Sequence, residues 1–412
     1  MRSSDVSTEL SFFGSASRSP TTEDIKKFAK PRSAAESNEK TTSVVTKNLK
    51  NHTDGSARQL EEVSVKLNKN IQFSVKAGKA KNPISLKNII INLCSVLICI
   101  ISTLIVLTLI AVFIIFPLAF ASSLSLRQRM MFVGWIRNSP SSLQNPTSLG
   151  LHDAKLIKIT DIHAWYIPPA LNVTCDEESS AERPLILFVP SFGEIRSSLN
   201  TVAMLKTLTQ VLCYHVVAFD YRGTADSGGP LPSARTVLYD AREVLEQVLS
   251  SEQHITNKTI VLWGNTWGAP ISLKLANEFY TNIENGALVL QSPIESTEKA
   301  AGTGLAFNIL WRWMPYFYTV FVKTLQDYPE TYFNTVEEAT GALHLKTIVI
   351  HGKNDDVVDL NQGINVYRQL EVSRLSGNLN SEYLRWCSSK DDEVGHYIAH
   401  SSMILECLRH HL

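Results

Sequence analysis

Thr259-Ile260-Val261-Leu262-Trp263-Gly264-Asn265-Thr266-Trp267-Gly268-Ala269-Pro270-Ile271-Ser272-Leu273 reads as an apolar strand, a tight turn and a helix. The frame G-x-T-x-G occupies the turn. A strand–turn–helix with that frame exposes a nucleophilic hydroxyl in one large enzyme class, and the residue at its centre is normally serine. Here the residue is Thr266.

Around this stretch lie four more short apolar runs, Leu185–Val189, Val216–Phe219, Ala287–Leu290 and Thr347–Ile350, separated by longer amphipathic stretches. Runs without polar alternation, spaced by helical patterns, predict a mostly parallel sheet covered on both faces. The expected fold class is therefore α/β, in a domain spanning residues 155–412. Sites in such sheets form beyond the carboxyl ends of the strands, so the loops after these runs are where chemistry is sought.

Two of those loops carry chemistry. His351-Gly352-Lys353-Asn354-Asp355-Asp356 follows the last run, and Glu393-Val394-Gly395-His396-Tyr397 precedes a final helical pattern. A hydroxyl needs an adjacent imidazole to take its proton, and the imidazole needs a carboxylate to orient it and stabilise its cation. Thr266, Asp355 and His396 are the candidate catalytic residues, in the chain order nucleophile, acid, histidine. Asp356 is the alternative carboxylate, and His400 reads as a solvated helix residue. Asp226-Ser227-Gly228-Gly229-Pro230 matches a trypsin-type serine motif, but that chemistry belongs to an all-β double barrel and is set aside.

Ahead of the domain, residues 88–120 contain no charged side chain. About 20 apolar residues in a helix cross a hydrocarbon core, so this stretch predicts one transmembrane helix. Lys66, Lys69, Lys76, Lys79, Lys81 and Lys87 precede it, whereas Arg127, Arg129 and Arg137 follow. That excess predicts a cytosolic N-terminus and a lumenal or extracellular C-terminal domain. The charges do not specify an organelle; the endoplasmic reticulum is the membrane expected. The triplets at Asn172 and Asn257 are glycosylation sequons on that side.

Residues 1–87 are rich in Ser, Thr, Lys, Glu and Asn and are expected to form a disordered tail. Residues 121–154 form a juxtamembrane segment, in which Met130–Ile136 reads equally as an interfacial stretch or as the first element of the domain. Lysine plus arginine and aspartate plus glutamate both number 39, which argues against a nucleic-acid partner. Six cysteines are too few for a disulfide scaffold, although one or two bridges are compatible with the sequence. No metal cluster, phosphate loop or dinucleotide fingerprint is visible, so no metal or cofactor is expected.

Further segments carry a family resemblance. They are Phe219-Asp220-Tyr221-Arg222-Gly223-Thr224-Ala225-Asp226-Ser227, Tyr239-Asp240-Ala241, Leu290-Gln291-Ser292-Pro293 and Tyr397-Ile398. With the apolar helix, Trp263-Gly264 and His351-Gly352 plus Asp355, they make residues 90–412 resemble the α/β-hydrolase superfamily, in its branch of membrane-anchored lipid hydrolases. The resemblance implies a lumen-facing glycoprotein acting on monoacylglycerols or lysophospholipids, with the bilayer as partner. It also implies a lid at about 297–340, where Phe307–Tyr318 is dense in aromatics and reads equally as bilayer-dipping or as packed on the domain.

Two departures from that branch fall on the catalytic parts. A β-branched residue is an outlier at the positive φ of such an elbow, and threonine's γ-methyl stands where an acyl carbon approaches. The branch usually has His-Gly after the first run, but here the loop is Pro190-Ser191-Phe192-Gly193. Proline removes one donor and sets one φ. The expected oxyanion donors are Trp267 on one side and Ser191 or Phe192 on the other. The sequence thus supports an ester hydrolase, and as the alternative a catalytically inactive relative that binds lipid or a protein partner. A purely structural membrane protein is the third reading.

Overall fold

The computed structural model describes residues 86–132, 141–170, 175, 183–251, 259–303, 307–340, 344–389, 395–396 and 401–412. The expected tail over residues 1–85, the sequons at Asn172 and Asn257, and His400 lie outside the described residues. Contacts below are those within the unit Ser95–Leu412.

Helix α1 (Leu86–Ile110) has no buried residue. It continues through a π-turn (Ala111–Ile115) into α2 (Phe116–Ser122). Together they make a 37-residue helix that contains an 18-residue window of mean hydropathy 3.1, long and apolar enough to cross a membrane. Helix α3 (Leu124–Met131) starts at Ser123, whose hydroxyl accepts from the Leu126 N–H.

Met131 and Phe132 are buried in the domain core, so this half of Met130–Ile136 is a domain element; residues 133–136 lie outside the described residues. Arg127 is also buried: it donates to the Phe120 carbonyl at 3.0 Å and the Ala121 carbonyl at 2.6 Å and lies over the Tyr328 ring. Its charge therefore belongs to the end of α2 and not to a solvated flank.

Eight strands form one sheet: β1 (Lys155–Ile159), β2 (Ile162–Ile167), β3 (Leu185–Val189), β4 (His215–Asp220), β5 (Ile260–Asn265), β6 (Ala287–Gln291), β7 (Lys346–His351) and β8 (Leu384–Ser388). Their order is β1-β2-β4-β3-β5-β6-β7-β8. β1–β2 and β2–β4 are antiparallel, and every other pair is parallel. The strands read from sequence are the central ones, β3 to β7, where burial on both faces leaves no polar alternation. β1, β2 and β8 are mixed in polarity because they approach the edges, and Lys155 and Lys158 sit on edge strand β1.

One sheet face packs under α5 (Ala234–Ser250), α6 (Gly268–Glu278) and α9 (Leu360–Ser376), and the other under α4 (Leu199–Lys206) and α10 (Ser402–His411). Helix α5 illustrates the local logic. Ser233 and Thr236 form a reciprocal capping box, and Val237, Ala241, Val244, Leu245 and Val248 recur at helical spacing on the buried side.

The stretch 297–340, where the resemblance implies a lid, contains α7 (Thr297–Thr303) and α8 (Phe307–Trp311). Trp311 donates its indole N–H to the Val112 carbonyl at 3.0 Å, and Tyr316 its hydroxyl to the Phe113 carbonyl at 2.6 Å. Pro117, five residues after Val112 and four after Phe113, has no N–H to give to either carbonyl, and these two side-chain donors serve them instead. Trp311 also stacks on Phe116, with centroids 5.1 Å apart. Trp311, Phe317 and Phe321 are thus packed inside, whereas Trp313 and Tyr318 face outward.

Candidate active site

The turn at Thr266 is shaped by the two glycines that frame it. A Cβ on Gly264 would stand 2.7 Å from the Ala269 Cα, and one on Gly268 2.2 Å from the Val189 carbonyl. Neither position accepts a side chain, because the helix must start hard against β3 and β5. Between them Thr266 has φ +52°, in the left-handed region that disfavours β-branched residues. Its N–H donates to the Gln291 carbonyl at 2.8 Å, which ties the strained residue to β6.

Thr266 Oγ1 lies 3.1 Å from His396 Nε2, and His396 Nδ1 lies 2.8 Å from Asp355 Oδ2. Thr266 and His396 are buried, and the side chain of Asp355 is inaccessible to solvent. With Nδ1–H donating to the carboxylate, Nε2 carries the lone pair that faces the hydroxyl. Asp355 Oδ1 accepts from the Val357 and Val358 N–H groups at 2.9 and 2.8 Å. Burial alone would raise the Asp355 pKa, but the bond to His396, its charge and the two amides hold it below its ordinary value. Asp356, the alternative carboxylate, is instead positioned against the Gly395 backbone.

His351 backs this arrangement. Its Nε2 stands 3.0 Å from the Val358 carbonyl and 3.4 Å from Asp355 Oδ2. Burial lowers its pKa, so the ring is a neutral donor that steadies the acid loop. His396 lies in sequence between Cys387 and Cys407, whose disulfide ties β8 to α10. A second bridge joins Cys175 to Cys213.

The opposite side of the site is built differently. The loop after β3 is tethered at both ends: Tyr221 Oη donates to the Pro190 carbonyl at 3.0 Å, and the Arg196 N–H to Asp220 Oδ1 at 2.8 Å. Arg196, itself buried, also pairs with Asp220 at 2.6 Å and Asp226 at 2.9 Å. Asp226 thereby holds the β3 loop in place, which accounts for its side chain without a protease motif.

The Ser191 carbonyl accepts from the Glu194 N–H at 3.4 Å in a turn that passes through Gly193. Phe192 stacks on Trp267 with centroids 5.4 Å apart, and Phe132 and Phe333 pack against it at 4.5 and 5.3 Å. Trp267 caps the N-terminal end of α6, where amide N–H groups lack intrahelical partners. A cavity of about 440 Å³ is lined by Leu238, Pro270, Ile271 and Phe333, of which Phe333 also packs against Trp267.

Sequence reasoning passed over two residues at this edge. Asn265 Oδ1 stands 3.3 Å from Thr266 Oγ1, and Asn265 Nδ2 donates to Glu194 Oε2 at 2.9 Å. The single hydroxyl proton of Thr266 thus has two acceptors in reach, His396 and Asn265. Burial raises the Glu194 pKa above the ordinary carboxylate value, against the opposing influence of His396 and the Asn265 bond. The only available signal was a carboxylate one residue beyond Pro190-Ser191-Phe192-Gly193.

The family model of the alpha/beta hydrolase fold matches residues 184–330. Lysophosphatidylserine lipase ABHD12 of Bos taurus is 26% identical over 200 residues, which are 48% of this chain and 48% of that protein. The chain therefore spans about half the length of that relative. The Danio rerio ABHD12 is 23% identical over 301 residues, 69% of this chain and 77% of that one. The alpha/beta hydrolase domain-containing protein aho-3 of Caenorhabditis elegans is 27% identical over 159 residues, 39% and 40% of the two chains. Among solved structures, a Pyrococcus furiosus esterase gives a TM-score of 0.46 at 15% identity over 65% of this chain and 90% of that one.

Proposed function

We propose that this chain, which has the α/β-hydrolase fold and resembles the ABHD12 lipases, is a membrane-anchored ester hydrolase of lysophospholipids or monoacylglycerols. The observation that carries the reading is the unbroken chain Thr266 Oγ1–His396 Nε2 at 3.1 Å and His396 Nδ1–Asp355 Oδ2 at 2.8 Å. In this reading His396 takes the hydroxyl proton as Thr266 attacks the ester carbonyl. Asp355 stabilises the imidazolium, and His396 then returns the proton to the departing alcohol. A water activated by the same imidazole cleaves the acyl-enzyme. The Trp267 N–H and an amide of Ser191 or Phe192 bind the oxyanion.

The apolar helix supports anchoring, and the two disulfides support an oxidising compartment, hence a lumenal or extracellular domain. A cytosolic tail, glycans at Asn172 and Asn257, and residence in the endoplasmic reticulum complete the proposal.

One observation favours a second reading, a catalytically inactive lipid- or protein-binding relative. Thr266 combines a φ of +52° with a β-branched side chain. Fluorophosphonate labelling in membranes separates the two. The hydrolase reading expects wild type to label and Thr266→Ala not to label. Labelling of Thr266→Ser alone would mean that threonine silences an otherwise intact site, and labelling of none would favour the binder.

A further inference from the structure

Glu194 sits in the loop after β3, from which an oxyanion donor is expected, yet its side chain is an acid. It reaches Thr266 through one amide: Oε2 accepts from Asn265 Nδ2 at 2.9 Å, and Asn265 Oδ1 stands 3.3 Å from Thr266 Oγ1. Partly buried carboxylates are ordinarily matched by a resident cation. Among the described residues, the donor to Glu194 is the neutral Asn265, and the titratable group acting on it is His396, which the reaction occupies. Arg196, two residues on, is committed to Asp220 and Asp226.

Phe192, two residues before Glu194 in the same loop, stacks on Trp267, two residues after Asn265, with ring centroids 5.4 Å apart. A negative group next to aromatic faces suits an ammonium ion, which gains from both the charge and the ring quadrupoles. The same charge opposes an anionic group brought to the ester.

Resting on the lipid-hydrolase reading, we propose that Glu194 is the headgroup-recognising residue of this site. It selects single-chain phospholipids whose alcohol carries an ammonium group, of the choline or ethanolamine type, over uncharged glycerol esters and headgroups that are anionic only. Glu194 touches the headgroup, Thr266 the ester.

The test is equilibrium binding to the full chain in nanodiscs. The probes are an ether-linked, non-hydrolysable lysophosphocholine and its 3,3-dimethylbutyl isostere, in which carbon replaces the ammonium nitrogen. Wild type should bind the choline lipid about tenfold more tightly. Glu194→Gln keeps an acceptor for Asn265, and the ratio should fall to about one. Thr266→Ala should retain the wild-type ratio, because no bond to the ester is being made. A wild-type ratio near one, an unchanged ratio in Glu194→Gln, or no binding of either lipid would overturn the assignment. A Glu194-dependent ratio without turnover of the corresponding ester would sink the Thr266 hydrolase reading and leave the headgroup assignment standing.

Discussion

The two sides of the candidate site are built to different standards. At the ends of β7 and β8, Asp355 accepts two amides and the imidazole of His396, with a neutral His351 behind it and a disulfide joining cysteines on either side of His396 in sequence. At the ends of β3 and β5, a β-branched residue sits at φ +52°, its hydroxyl has a competing acceptor, and an acid stands in the loop from which an oxyanion donor is expected. The acid–base side is over-determined by buried hydrogen bonds, while the nucleophile side departs from the expected chemistry at several points at once. Good distances between heavy atoms therefore do not by themselves measure competence. In the proposed hydrolase reading, a methyl group and one carboxylate act on the barrier without moving Thr266, His396 and Asp355 relative to one another.

The largest expected effect tests the sound side. Asp355→Asn removes the acceptor that sets the His396 tautomer, and fluorophosphonate labelling should fall by about 10³–10⁴-fold. It should be read in whichever of wild type or Thr266→Ser labels faster; a fall of less than tenfold would mean the imidazole is oriented by something else.

Relief of the strained side is the next test. Serine keeps the hydroxyl and removes the γ-methyl from a position where strain is about 1–3 kcal/mol. Thr266→Ser should therefore label about 5–150-fold faster than wild type. An equal or slower rate would show that the threonine is not what limits this side.

A structural test follows. Cys387 and Cys407 are 20 residues apart in sequence, and His396 lies between them. Replacing both by serine should cost about 2–4 kcal/mol in chemical denaturation. It should also lower labelling, as His396 loses its fixed approach to Thr266. Lost stability with unchanged labelling would separate the bridge from the site.

The smallest effect is in pH. Asp355 has a folded-state pKa below its unfolded value, so its contribution to stability is complete above about pH 4. That contribution is lost as pH falls through the folded value, because the unfolded chain then binds the proton more readily. The melting temperature of wild type should fall more steeply below about pH 4 than that of Asp355→Asn. Parallel curves would contradict the depressed pKa.

Much of the fold was legible because burial leaves a one-dimensional trace. β3 to β7 are apolar on both faces, so they stand out as unbroken runs, and the helix α1–α2 stands out by length alone. β1, β2 and β8 left no such trace, since strands near an edge keep polar residues. The candidate triad could be nominated from sequence, because a hydroxyl, an acid and a histidine each followed a recognisable element in a familiar order.

What only the tertiary structure decided are the neighbours that no local pattern encodes. Val189 pairs with Gly264 across β3 and β5, and that register brings the loop holding Glu194 beside Asn265. The turn after β7 directs Asp355, and not Asp356, at His396. Trp311 and Tyr316 meet carbonyls of the π-turn about two hundred residues earlier. Periodicity reports which face of an element is dry. Which polar atoms meet depends on strand register and loop path, and these are set by the packing of the whole chain.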